Sequence, residues 1–197
     1  MMGVQILTLL IKTAGAIFVI ACVARLLAQF AKADFYNPLA QTVVKITNPL
    51  LLPLRRIIPG FGGLDNASIL LIFLGQFAVG TIIMFVTGST SLSIADVAIW
   101  SLIAVLAIVM DVFFWGAIIV AISSWFTQGN YNPMLGFIAQ IIEPYIRPFR
   151  RLNLQVGILD LSFLIAIMLL FILKEILLVE FARMLGYIPN YSLFIGM

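Results

Sequence analysis

The chemistry-bearing residues of this 197-residue chain are two arginine pairs and a few charges set inside apolar runs. Arg55-Arg56 and Arg150-Arg151 each close a Pro-x-Arg-Arg motif. A guanidinium is planar and binds phosphate or carboxylate through two parallel N–H bonds, so such pairs suit anionic lipid headgroups or an acidic partner surface. The competing reading makes them topology signals, neutralised by Asp65 and Asp160. A second set, Lys12, Asp111, Lys174 and Glu175, interrupts otherwise apolar stretches. Each charge costs about 2.5–3.5 kcal/mol near the centre of a bilayer, so it must find a partner or a use.

The absent residue types bound the chemistry as firmly. There is no His and a single Cys, Cys22. That excludes histidine base catalysis, bis-His haem ligation, Cys/His zinc sites and an intramolecular disulfide. No phosphate-cradling glycine motif and no nucleophile elbow occurs. We therefore expect no enzyme, no metal and no cofactor. The net charge of +3 is small and sits in two loops. It is read as membrane orientation, with no role in nucleic-acid binding.

The elements that position these residues are membrane spans. Hydrophobic residues make up 63% of the chain and charged ones 10%, with a mean hydropathy of +1.20. Soluble domains are about half apolar and a quarter charged. A transmembrane helix needs about 20 predominantly apolar residues, and four runs qualify: Val4–Ala24, Ser68–Val86, Ile99–Ile122 and Leu161–Arg183. Within the first, Cys22 reads as an ordinary buried thiol. Basic residues cluster in the loops after spans one and three (Arg25, Lys32, Lys45, Arg55, Arg56; Arg147, Arg150, Arg151) and are missing from Thr87–Asp96. The positive-inside rule then places loops one and three in the cytoplasm and both termini outside.

The chain also repeats itself. Tyr36-Asn37-Pro38, Asn48-Pro49, Pro53-Leu54-Arg55-Arg56 and Gly62-Gly63-Leu64-Asp65 return as Tyr131-Asn132-Pro133, Glu143-Pro144, Pro148-Phe149-Arg150-Arg151 and Gly157-Ile158-Leu159-Asp160. Every matched residue lies 95 positions from its partner, with eleven identities in thirty. Residues 1–90 and 91–197 thus form two hairpin repeats of two spans each, running in the same direction and related by a pseudo-twofold axis along the membrane normal.

Each repeat's loop carries a short amphipathic helix. Asn37 and Asn132 are N-caps with Pro38 and Pro133 at the first helical position. Leu39, Val43, Ile46 and Leu50 share one face in the first copy, and Met134, Ile138 and Ile141 in the second. Asn48-Pro49 and Glu143-Pro144 are expected to stop these helices, because proline pushes the preceding residue out of the α region. Asp65 and Asp160 then sit at the N-caps of spans two and four, where an anion is favoured. Phe35, Tyr36, Trp125 and Tyr131 fit one aromatic belt and Trp100 the other.

Four spans in two halves, each with an amphipathic loop ending in Pro-x-Arg-Arg and a following Leu-Asp, resemble the YggT family of small bacterial inner-membrane proteins. The plastid and cyanobacterial YlmG-type relatives usually carry one such half. The resemblance covers about residues 25–85 and 120–180. It implies a multi-pass inner-membrane location and little chemistry. Bacterial members are linked to osmotic tolerance, and photosynthetic ones to membrane organisation and the assembly of membrane complexes.

Counted inward from the arginine-rich edge, Lys12, Asp111, Lys174 and Glu175 fall within one slab roughly 14–22 Å deep at 1.5 Å per residue. Gln76 joins them. Such a slab serves as interhelical glue, as an ion or proton pathway, or as a contact with a partner. Lys12 and Lys174 are also long enough to snorkel outward. Glu180 and Arg183, one turn apart, read as a solvated pair, and Gly75, Gly80, Ala117 and Ala166 as close helix packing.

The expected fold is all-α, a polytopic bundle of four transmembrane helices with an interfacial helix in each cytoplasmic loop. Two functions stand against each other. One is a non-enzymatic organising or assembly factor that engages anionic lipid or a membrane protein complex through the arginine loops. The other is an ion-conducting or ion-regulating protein in osmotic homeostasis, built on the charged slab and requiring a homo-oligomer.

Overall fold

In a computed structural model of the chain, residues 2–60, 65–88, 93–126, 132–152, 155–156 and 159–186 are described, with backbone alone at 124–126, 155–156 and 159–160. Among the described residues, four helical segments are long and apolar enough to cross a membrane. They are α1 (Met2–Phe30), α3 (Asn66–Thr87), α4 (Ile94–Phe126) and a segment running from Leu161 to Met184. That last segment comprises α6 (Leu161–Phe171), a π-helical stretch (Ile172–Leu178) and α7 (Val179–Met184). The amphipathic helices α2 (Pro38–Ile57) and α5 (Pro133–Arg150) connect the spans within each repeat. Two two-residue strands, β1 (Gln155–Val156) and β2 (Leu159–Asp160), pair antiparallel just before α6.

The fold is thus the tandem arrangement of span, amphipathic helix and span read from the sequence. The helix ends follow their residues. Asn37 and Asn132 cap α2 and α5, each Oδ1 accepting from the backbone N–H two residues on (Leu39 and Met134, both 2.9 Å). Gly88 ends α3 in the left-handed region at φ +64°, which costs a residue without a Cβ nothing.

Three expectations need correction. Neither Asn48-Pro49 nor Glu143-Pro144 stops its helix: α2 continues through Pro49 and Pro53 to Ile57, and α5 through Pro144 and Pro148 to Arg150. Within each pair the prolines are four residues apart, so they stack on one side of the helix, and all four are exposed. The carbonyls that lose their N–H partners therefore face outward, where other donors reach them, and the penalty of an interior proline is reduced. Nor do the apolar residues of α2 keep to one face: Ala40, Val43 and Leu51 are buried with Thr47, while Ile46 and Leu50 are exposed. Finally, Trp100 lies in the core with Val79, Ile83 and Ala104, and not in an outer aromatic belt.

The interior is held by close helix approaches. A Cβ added to Gly75 of α3 would lie 2.9 Å from Val19 Cγ2 of α1. One added to Gly116 of α4 would lie 2.8 Å from Ile142 Cγ2 of α5. Ala104, Ala117 and Ala166 are fully buried for the same reason. The two repeats meet where α3 packs on α4 and, at the arginine-rich end, through their amphipathic helices. Phe137 and Ile141 of α5 pack on Ala21, Ala28, Ala40 and Val43 of the first repeat. The Asn37 side chain donates to the Pro133 carbonyl, and the Asp34 N–H donates to Gln140 Oε1 at 2.8 Å.

Candidate functional site

The arginine-rich end of the bundle is built mainly from α1, α2 and the head of α3. Asp65 precedes α3 at its N-cap position, and its carboxylate accepts from the Ser68 N–H (3.3 Å) and the Ser68 hydroxyl. Arg55, at the end of α2, forms an ion pair with the same carboxylate through Nη2 and donates from Nε at 3.1 Å. Burial pushes the Asp65 carboxyl upward, but the hydrogen bonds from Arg55 and Ser68 and the adjacent positive charge outweigh it. The net result lies below the usual carboxylate range.

The second copy is wired differently. Arg150 donates from Nη1 to Glu143 Oε2 at 2.8 Å and lies over the Phe163 ring, 5.1 Å from its centroid. Asp160 directly precedes α6, but its side chain lies outside the described residues, as do Gly62, Gly63, Leu64, Tyr131, Gly157, Ile158 and the Trp125 side chain. Arg56 and Arg151 are exposed and form no ion pair among the described residues.

Sequence reasoning missed Arg25. It lies one turn before the end of α1 and is only 7% exposed. Its Nη1 donates to Thr47 Oγ1 at 2.6 Å and to Asn48 Oδ1 at 2.8 Å, both on α2. The polar Thr47-Asn48 step on an otherwise apolar inward face was the available signal. A cavity of about 420 Å³ opens beside it, lined by Arg25, Gln29, Phe35, Val44, Arg55, Gly60 and Asp65.

The charged slab divides into parts. Lys174 Nζ is 2.6 Å from Asp111 Oδ1 and 3.5 Å from Glu175 Oε1, so α4 and the π-helical stretch share one cluster. Asp111 and Lys174 are about one-fifth exposed and Glu175 46%. This cluster borders a cavity of about 160 Å³ together with Met110, Phe114, Trp115 and Phe171. Gln76 stands apart, fully buried, its Nε2 donating to the Ala104 carbonyl at 3.3 Å. Lys12 makes no ion pair or hydrogen bond among the described residues. Glu180 and Arg183 form an exposed pair. Among the described residues no group of three or more carboxylate, thiol or imidazole side chains is placed to hold a metal ion.

A family model described as CCB3/YggT matches the chain twice, over residues 4–86 and 99–181, one match for each repeat. An uncharacterized protein of Pseudomonas aeruginosa is 40% identical over 187 residues, 94% of this chain and 95% of the relative. The uncharacterized protein YggT of Escherichia coli K12 is 35% identical over 85% of this chain and 87% of its own length. A Vibrio alginolyticus relative, also uncharacterized, is 34% identical over 81% and 86%. No solved structure matches. With both halves matched and relatives aligned over most of their length, the chain belongs to the CCB3/YggT family of multi-pass membrane proteins.

Proposed function

We propose that this chain is a non-enzymatic organising or assembly factor of the bacterial inner membrane. Its two Pro-x-Arg-Arg ends face the cytoplasm and engage anionic lipid or an acidic surface of a membrane complex. The observation that carries this reading is the pairing of Arg56 and Arg151. They lie 95 positions apart at the ends of two touching amphipathic helices, exposed and without an ion pair among the described residues. Their neighbours Arg55 and Arg150 are held by Asp65 and Glu143, so the outer arginines supply the available charge. A juxtamembrane arginine contributes about 1 kcal/mol toward an anionic leaflet.

The test is native co-purification of the double variant Arg56→Gln/Arg151→Gln. Enrichment of anionic phospholipid or of the partner should fall roughly 10- to 30-fold if both arginines act at that strength. Unchanged enrichment rejects the reading.

The cluster of Asp111, Lys174 and Glu175 supports a second reading, an ion-handling protein. Two carboxylates share one ammonium beside a cavity at mid-membrane depth. Under it, Asp111→Asn changes potassium or sodium flux in proteoliposomes at an unchanged yield of folded protein. Absence of flux from folded wild-type protein removes it.

A further inference from the structure

We infer that the first repeat carries a phosphate-binding pocket, formed by Arg25 and Arg55 and fitted to the headgroup of an anionic phospholipid. The inference rests on the anionic-lipid reading above but on a different pair of arginines, Arg25, which is buried, and Arg55, which is partly exposed.

The cavity lining holds two guanidiniums and one carboxylate, Arg25, Arg55 and Asp65, and so carries one positive charge in excess. Arg25 uses only Nη1 for its two hydrogen bonds; Nε and Nη2 have no acceptor among the described residues. A nearly buried guanidinium with no ion pair of its own, whose spare donors open on the cavity, is better stabilised when an anion fills that cavity. Thr47 and Asn48 hold it in place, and both are neutral, so they fix its direction without cancelling its charge. A phosphate oxygen pair matches the fork that remains.

The second repeat is an internal control. At the positions matched to Arg25, Thr47 and Asn48 it has Val120, Ile142 and Glu143. The buried guanidinium is gone, and Glu143 provides a carboxylate for Arg150 at 2.8 Å. The chain has thus kept the arginine pair twice and the charge excess beside a buried arginine once.

The elements around the pocket favour a lipid as the source of the phosphate. The same helices, α1, α2 and α3, line a second, open cavity of about 570 Å³. Its lining is apolar, including Phe18, Leu50, Leu54, Leu71 and Leu74. A charged pocket with an apolar cleft on the same helices has the two-part character of a phospholipid.

The experiment is native mass spectrometry of delipidated protein in detergent, titrated with dioleoyl phosphatidylglycerol, with dioleoyl phosphatidylcholine, or with inorganic phosphate. The wild-type protein should retain one phosphatidylglycerol in preference to phosphatidylcholine. Asn48→Asp adds a carboxylate where the Arg25 bond already runs, and should lower that retention about ten-fold while the protein stays folded. Arg25→Gln should lower it as well, and Arg56→Gln/Arg151→Gln should leave the single tight lipid in place. Displacement of the lipid by millimolar phosphate, or retention of phosphate alone, keeps the pocket and makes the free anion its ligand. If Asn48→Asp retains the lipid and the outer double variant loses it, the pocket is rejected and the surface reading stands. If no variant changes retention, both are rejected.

Discussion

Asp65 shows how much one carboxylate can organise at the arginine-rich end. It caps α3, receives the Ser68 hydroxyl and anchors Arg55 to the start of the next span. Its carboxyl is held below the ordinary range, near 3.9 for aspartate. It is therefore deprotonated more readily in the folded than in the unfolded chain. Its stabilising contribution is complete above the unfolded value and disappears as pH falls through the lower folded one. Thermal unfolding in detergent should show a loss of stability in that acidic window, and Asp65→Asn should flatten it. At neutral pH Asp65→Ala should cost about 1–2 kcal/mol from the cap alone, with a further loss from the unpaired Arg55. The Asp65 cap was readable from the sequence, because an acid just before an apolar run is a local signal. Arg25 was not. Its partners lie 22 and 23 residues away on another helix, and only the packing of α1 on α2 brings them together.

Among the elements, close approach and proline placement govern what the sequence conceals. Gly75→Ala and Gly116→Ala should each cost about 1–3 kcal/mol through overpacking, as read by thermal denaturation. Combining Gly75→Ala with Val19→Ala should recover part of that loss, since the methyl that clashes belongs to Val19. The extent of α2 and α5 was underestimated for a physical reason. A single proline breaks a helix because the carbonyl four residues back loses its donor and is crowded by the ring. Two prolines at i and i+4 place both defects on one exposed side and leave the buried face continuous. The π-helical stretch left no mark either, because its composition matches that of the α-helical turns beside it. It holds Lys174 and Glu175 with Asp111 opposite, and π turns are frequently found at functional sites.

Taken whole, the molecule is two like halves that have diverged in charge. The spans, the repeat and the parallel arrangement were legible because hydropathy and a fixed offset of 95 are global signals. The partition of the charged slab was not, since residues at equal depth share a level without sharing a side of the bundle. Asp111, Lys174 and Glu175 meet, while Gln76 bonds to a carbonyl and Lys12 stands alone among the described residues. This divides glue from pathway in a measurable way. Removing one member of a buried pair costs about 3–5 kcal/mol, whereas replacing both is often close to neutral. If the cluster is structural, Asp111→Asn should lower the yield of folded protein and Asp111→Asn/Lys174→Gln should restore it. Recovery of fold without recovery of flux would mark the cluster as functional.

The contact between α2 and α5 has one more consequence. Two hairpins inserted one after the other are joined here by Asn37 on Pro133, Asp34 on Gln140, and Phe137 seated among the small residues of the first repeat. That seam contains matched residues from both copies, yet the two sides are unlike: alanines on one, a phenylalanine and an isoleucine on the other. The halves are therefore lock and key, no longer interchangeable. At the 95-position offset, a protein assembled from two first repeats would set Thr42 and Ile46 against those alanines, and one from two second repeats would set Phe137 and Ile141 against Gly116, Ser123, Leu135 and Ile138. The repeated motif gives the two halves one frame, and the seam between them is unequal.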